Sequence, residues 1–419
     1  MAKPIEIDGR TGEGGGQVIR IAVCLAALTT QAIKIINIRG NRPKGGGLKN
    51  QHVASIRWLA DATRAEVEGL DIGSKTLTFA PKKSAKASPL LLGKDGRHIT
   101  IGGANASSTM LILQAVMPFL IFASGDPITL DVLGATHADF SPSYEYLDQV
   151  LLPTLEERWG IIVERELKRR SWSLGREDGG GKIQLKFNPL EAGQKLVFRP
   201  PTSWMRPGAC EVRSIDITII APAEYHESMQ NQLIQDIDSL FSNVDANIKI
   251  LEDSKSNSRW YILLVANSAA GIRWGRDLLT AMPRKAKSAD IFIAQICQKV
   301  GKALYQEVSE GQWMDEHLRD QLICYQSLCD GWSSMAPTES DTHHQLNDFA
   351  DDMAGLAVGS QQSKRMRKEK AYEPFGNGSL HAQTARWVAS ELLPGLDFYN
   401  KGDDVKGVGF CSSYRTKKI

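Results

Sequence analysis

Hydrophobic and polar positions alternate over residues 4–8, giving a short strand. Apolar residues then recur at Val18, Ile21, Ala22, Leu25 and Leu28, the spacing of one buried helix face. Glycine-rich residues 9–16 join the two. Residues 32–38 read as a second strand, and Val53, Ile56, Leu59 and Ala60 mark a second helix over residues 51–63. Residues 66–68 and 76–79 follow as paired strands. The pattern predicts one β-α-β-α-β-β unit.

The same order recurs. Residues 99–101 read as a strand, 107–122 as a helix, 128–132 as a strand, 143–159 as a helix, and 161–164 with 183–187 as closing strands. A third copy is expected to begin near residues 261–265 and to continue through helical patterns at 289–305 and 317–328. Its last helix spans 381–393 and stops at Pro394-Gly395. Strands at 212–221 and 248–251 around a helix at 229–241 read as a small inserted α/β domain. The expected class is therefore α+β: a large domain of stacked modules over 1–186 and 285–419, and the small domain over 187–284. Residues 331–378 are polar and lack sustained periodicity, so they read as a flexible insertion. Within it, the basic run around Lys364-Arg365-Met366-Arg367-Lys368 has the composition of a solvated charged surface, an RNA contact or a nuclear address.

A chain of 419 residues, 42% hydrophobic and 23% charged, can bury sizeable cores in two or three domains. Its formal charge of +2 does not mark it as a nucleic-acid binder, so any polyanion site has to come from local clustering. Six cysteines are scattered without a CxxC or zinc spacing, which favours reduced thiols inside the cell. The first residues lack the apolar region of a leader, and no apolar run reaches the ~18 residues of a membrane span. No membrane partner is expected.

Three segments carry candidate chemistry. Gly9-Arg10-Thr11-Gly12-Glu13-Gly14-Gly15-Gly16-Gln17-Val18-Ile19-Arg20 lies between a strand and a helix, where glycines let backbone amides approach a phosphate. It is not a Walker A loop, and a turn needed only for packing is the plainer alternative. Glu13 and Arg20 favour a metal and a phosphate. Arg39-Gly40-Asn41-Arg42-Pro43-Lys44-Gly45-Gly46-Gly47-Leu48-Lys49-Asn50-Gln51-His52 gathers cations around a second glycine loop ahead of a helix, a composition suited to polyanions. In Gly378-Ser379-Leu380-His381-Ala382-Gln383-Thr384-Ala385 a histidine opens an amphipathic helix. Its local setting suits a cap or core residue, although a neutral imidazole at a helix N-terminus is also a competent nucleophile toward phosphorus.

Together with Gly179-Gly180-Gly181 and the segment His317-Leu318-Arg319-Asp320-Gln321-Leu322, these blocks resemble, in order, the signatures of the RNA 3′-terminal phosphate cyclase family. The resemblance spans about residues 5–410, excepting 331–378. It implies three repeats of two helices on a four-stranded sheet, with a small inserted domain. It further implies an ATP-dependent ligase that converts an RNA 3′-phosphate end to a 2′,3′-cyclic phosphate through a histidine-AMP and an RNA-adenylate. By the resemblance His381 is the nucleophile and Glu13 the ligand of a divalent metal, Mg or Mn. Arg20, Arg39, Arg42, Gln51, His52, Gln17 and Gln114 hold phosphates of ATP or RNA, while Pro142, His317, Asp320 and Gln321 lie near the nucleotide. His317 stands where the family usually has a tyrosine, and the basic loop is one residue longer than usual. A nuclear location, nucleoplasm or nucleolus, is expected.

Two other functions share this architecture. The cyclase-like branch acts in ribosomal RNA processing and ribosome assembly without catalysis and lacks the reactive histidine, whereas this chain has one. Enolpyruvyl transferases use related repeats on small phosphorylated substrates, and no segment here resembles their substrate sites.

Overall fold

A computed structural model describes residues 3–43, 45–91, 97–103, 107–175, 180–201, 208–283, 288–335 and 375–412. The first repeat runs β1 (Ile5–Asp8), α1 (Gly16–Thr29), β2 (Ile33–Ile36), α2 (Asn50–Thr63), β3 (Glu66–Glu68) and β4 (Leu77–Ala80). Its sheet has the order β1-β2-β4-β3, with β1 parallel to β2 and the remaining pairs antiparallel. The second repeat has β5 (Arg97–Gly102), α3 (Thr109–Ile121), β6 (Ile128–Gly134), α4 (Tyr144–Tyr146), α5 (Leu152–Trp159), β7 (Val163–Arg169) and β8 (Gly181–Phe187). It repeats the same pairing as β5-β6-β8-β7. One π-helical stretch, Leu147–Leu151, joins α4 to α5, a feature periodicity does not reveal.

The inserted domain is built from β9 (Val212–Ala221), α6 (His226–Leu240), β10 (Asp245–Asp253), β11 (Trp260–Ser268), β12 (Arg273–Thr280) and α7 (Ala289–Ser309). Its sheet order is β10-β9-β11-β12. Residues 261–265, expected to open the third repeat, instead form the middle of β11, paired on both sides within this sheet. Helix α7, also expected in the third repeat, turns Phe292, Ile293, Ile296, Val300 and Leu304 into the core formed by this sheet and α6. Its apolar stripe is what the sequence shows, but a stripe does not name the sheet it covers.

The third repeat continues with α8 (Glu316–Leu328), β13 (Asp330–Ser334), α9 (Leu380–Leu392), β14 (Asp397–Tyr399) and β15 (Asp404–Val408). Its sheet order is β13-β15-β14, and Val197 makes a parallel bridge to Asp330, whose N–H donates to Leu196 O at 2.7 Å. Leu196 and Val197 thus take the place that β1 and β5 hold in the other repeats. The third repeat opens before the inserted domain. Residues 331–334, expected to be part of a flexible insertion, lie in β13, where Trp332 packs on Tyr399 at 4.9 Å between ring centroids. The rest of that insertion from 336 to 374, its basic run, and Gly179 lie outside the described residues.

Helices of all three repeats meet at the centre. Every residue of α1 and of α3 is buried, and α1 packs on α2, α3 and α9. A helix that is apolar on all sides requires such a position. The packing brings the N-terminal ends of α1, α2, α3 and α9 to one side of the large domain, where the three candidate segments meet.

Candidate active site

A cleft of about 410 Å³ is lined by Glu13, Gly16, Arg20, Arg39, Arg42, Lys49, Asn50, Gln51, His52, Leu111, Phe140 and His381. Chain positions separated by more than 300 residues therefore share one wall. Four cations face one carboxylate, so the cleft is cationic. Backbone N–H groups at the start of α1 add to this, because Gly15 caps α1 with no side-chain hydrogen bond.

The glycines of the first loop are needed for close approach of side chains as well as for turns. Gly12 and Gly14 have φ of +62° and +60°. A Cβ on Gly16 would lie 2.6 Å from Arg20 Nη1 and 2.8 Å from His52 Nε2, and one on Gly15 would strike the Glu13 carboxylate. The second loop turns through Arg39 at φ +54° and Gly47 at φ +87°, and Arg39 Nη1 donates to Gly47 O at 3.3 Å.

Arg20 is 8% exposed and donates through Nε to Gln114 Oε1 at 2.5 Å and through Nη2 to Gln17 Oε1 at 2.6 Å. Burial lowers it to about 10, with Asp320 opposing, so it stays cationic at neutral pH. His52 Nδ1 accepts the Lys49 N–H at 3.1 Å, which leaves its Nε2 as the N–H donor. Burial, then Arg20, Arg39 and Lys49, push the ring well below the usual histidine range, so it is neutral. His52 Nε2, Gln17 Nε2 and Gln114 Nε2 are buried without a hydrogen-bond partner. Such groups suit a polar, polyanionic ligand.

Glu13 ion-pairs with Arg42, and its second oxygen lies 3.3 Å from His381 Nδ1. Its backbone N–H donates to Thr384 Oγ1 of α9 at 2.8 Å, fastening the first loop to the last helix. Ser379 caps α9 by accepting the Ala382 N–H at 3.0 Å, and its hydroxyl donates to Asp320 Oδ1 at 2.6 Å. The cap position being filled, the His381 side chain is 42% exposed to the cleft. Burial lowers its pKa below the usual value, with Arg20 and Arg42 adding to this and Asp320 opposing. An unprotonated imidazole beside four cations can attack an electrophilic phosphorus.

The cleft thus brings together Glu13, Arg20, Arg39, Arg42, Gln51, His52 and His381 of the expected residues, with Gln17 and Gln114 behind Arg20. Asp320 reaches it through Ser379. His317, Pro142 and Gln321 are half-buried and do not line it; His317 Nε2 lies 3.2 Å from Arg276 Nη1 and its ring 6.0 Å from Tyr146. Sequence reasoning did not single out Asn50, Leu111, Phe140, Ser379 or Thr384. Ser379 was visible as an N-cap two residues before His381, whereas Leu111 and Phe140 carry no local signal of a site.

Among known proteins, the model of the family described as RNA 3′-terminal phosphate cyclase matches residues 11–356, and so ends before α9. A protein of Ignicoccus hospitalis named RNA 3′-terminal phosphate cyclase is 32% identical over 336 residues, 78% of this chain and 86% of its own. Identically named proteins of Staphylothermus marinus and Methylococcus capsulatus are each 32% identical, covering 82% and 84% of this chain and 89% and 91% of their own. With the repeated sheets and the shared cleft, these matches place the chain in the RNA 3′-terminal phosphate cyclase family.

Proposed function

We propose that the chain converts RNA 3′-phosphate ends to 2′,3′-cyclic phosphates at the expense of ATP, with His381 carrying AMP between them. The observation that carries this reading is His381 itself: an unprotonated, half-exposed imidazole facing a cleft of four cations, its cap role taken by Ser379. With Nδ1 beside the Glu13 carboxylate, Nε2 is the nitrogen whose lone pair is free to attack. The N–P bond to the α-phosphorus forms as the bond to the bridging oxygen breaks and pyrophosphate leaves. An RNA 3′-phosphate oxygen then takes the adenylyl group from the histidine. The 2′-hydroxyl, losing its proton, closes on the activated 3′-phosphorus and AMP departs.

Arg20, Arg39 and Arg42 supply the positive charge that phosphoryl transfer demands, and His52, Gln17, Gln51 and Gln114 supply neutral donors to the same phosphates. Pro142, His317, Asp320 and Gln321 are proposed to border the nucleotide, with imidazole in place of the usual tyrosine. Glu13 fits a divalent cation, Mg or Mn: its carboxylate is buried at the cleft, where it balances Arg42 and lies beside His381. It is a lone carboxylate, and no group of three or more His, Cys, Asp or Glu suited to a metal occurs among the described residues. That suits an ion bound by one carboxylate plus substrate phosphates. When bound, such an ion neutralises charge on the transferring phosphoryl group.

Incubation with labelled ATP and metal is expected to give an acid-labile AMP adduct on wild-type protein and none on His381→Ala. A 3′-phosphorylated RNA is expected to be cyclised only by the wild type. Equal cyclisation by both proteins rules out His381 as nucleophile. A nuclear location belongs to the same proposal, supported by the basic run around Lys364 and tested by imaging the tagged protein. No helix among the described residues is long and apolar enough to cross a membrane.

A further inference from the structure

Phe140 is a large aromatic side chain left 55% exposed at the lip of the cleft. It is not loose. Ala138 and Ser141 pair across a tight turn, with the Ser141 N–H donating to Ala138 O at 3.3 Å, so Asp139 and Phe140 form the tip. The Ser173 hydroxyl donates to Asp139 Oδ1 at 3.0 Å and accepts the Asp139 N–H at 3.2 Å. On the other side Ser141 Oγ meets Ser108 Oγ at 2.6 Å, just before α3. A turn pinned at both flanks therefore holds an apolar ring out toward a wall of cations.

A flat apolar face beside a cationic groove is what nucleobase stacking uses, since the cations take the phosphate and the ring takes the base. Phe140 and Leu111 are the apolar residues of this lining, and they share it with Arg39, Arg42, Lys49 and His52. The α8 residues proposed for the ATP nucleotide do not line it, and Pro142 lies beyond the pinned Ser141. The ring therefore serves the polymer whose phosphate enters among those cations. Resting on the nucleotidyl-transfer reading above, we propose that Phe140 stacks on the base of the RNA 3′-terminal nucleotide. It is then a substrate-binding residue that sets the end-phosphate opposite His381 while tolerating any base.

The test uses the full chain with two oligoribonucleotides ending in a 3′-phosphate, one normal and one with an abasic terminal nucleotide. Phe140→Ala is expected to weaken binding of the normal oligonucleotide roughly 5- to 150-fold, the range of one stacked base. Binding of the abasic oligonucleotide is expected to be the same in both proteins, and Phe140→Trp is expected to restore the preference for the normal one. Equal weakening toward both oligonucleotides overturns the proposal, as does unchanged binding of both. So does slowing of AMP-adduct formation in the absence of RNA, which would give the ring to the adenine of ATP. A wild type that forms no adduct refutes the nucleotidyl-transfer reading instead, and the two binding constants still decide the role of Phe140.

Discussion

A histidine near a helix start is usually consumed by capping, and His381 escapes because Ser379 already accepts the first-turn N–H. The identity of the cap is readable from Ser379 in the sequence. That Glu13, Arg42 and Asp320 surround the ring is not, since the first two come from the first repeat and the third from α8. Asp320 is the residue whose titration can be argued. Burial raises it to about 6, with the Ser379 hydroxyl and His381 opposing. A carboxyl raised in the fold costs stability as pH rises from 3.8 through 6, a loss of order 3 kcal/mol at most by neutral pH. Asp320→Asn keeps an acceptor for Ser379 without that cost. It is expected to resist denaturant better than wild type at pH 7.5 and no better at pH 4. The same substitution removes the charge that favours protonated His381. The acid limb of AMP-adduct formation, expected below pH 6.5 in wild type, should therefore move lower in Asp320→Asn. A limb that stays put would show that Asp320 does not act on His381.

Helices α1, α2, α3 and α9 were legible because their apolar positions recur at helical spacing, and their N-terminal ends carry the chemistry. The loops ahead of α1 and α2 were legible as glycine-rich and as candidate phosphate sites, but not in which side chains their glycines make room for. Gly16, the first residue of α1, shows the difference. Alanine is the better helix former there, so Gly16→Ala is expected to leave the thermal transition unchanged or slightly higher. Its Cβ, however, would press on Arg20 Nη1 and His52 Nε2, so both side-chain ends must shift into the cleft to admit it. Cyclisation is expected to fall by about 100-fold, as for a misplaced positioning group. Activity that survives with normal melting would mean those two side chains do not hold phosphate. Gly47 behaves in the opposite way. At φ +87°, with its Cβ position against Gly73 O, Gly47→Ala is expected to destabilise the fold by about 1–3 kcal/mol in a denaturant titration. Strand β13 shows why element reading failed elsewhere: its Asp330-Gly331-Trp332-Ser333-Ser334 is too polar to announce a strand and is held by β15 on one side and the Val197 bridge on the other.

At the scale of the molecule, repetition was readable for the first two modules because each is contiguous. The third was misread because its opening strand, at Leu196 and Val197, is separated from α8 by the whole inserted domain, and periodicity carries no information on which sheet a strand joins. How that inserted domain is fixed to the second repeat was equally hidden. Arg170 ion-pairs with buried Glu145 and, at 2.7 Å, with Glu252 of β10, while His137 lies 2.5 Å from Glu145 and packs on Tyr261 of β11. Burial pushes the Glu145 carboxyl up, but His137 and Arg170 outweigh it and hold the group at about 2. A carboxylate depressed in the fold contributes stability above its unfolded value of 4.5, lost as pH falls toward 2. Arg170→Ala strands a buried charge and is expected to cost about 3–5 kcal/mol at neutral pH. It should also remove much of the stability loss seen in wild type between pH 4.5 and 2, because Glu145 would then keep a proton in the fold as it does in the unfolded chain. Denaturant midpoints across that pH range distinguish the outcomes. If Arg170→Ala is weaker at neutral pH yet retains the full acid dependence, Arg170 joins the two domains by packing alone, and the charge on Glu145 is held by His137.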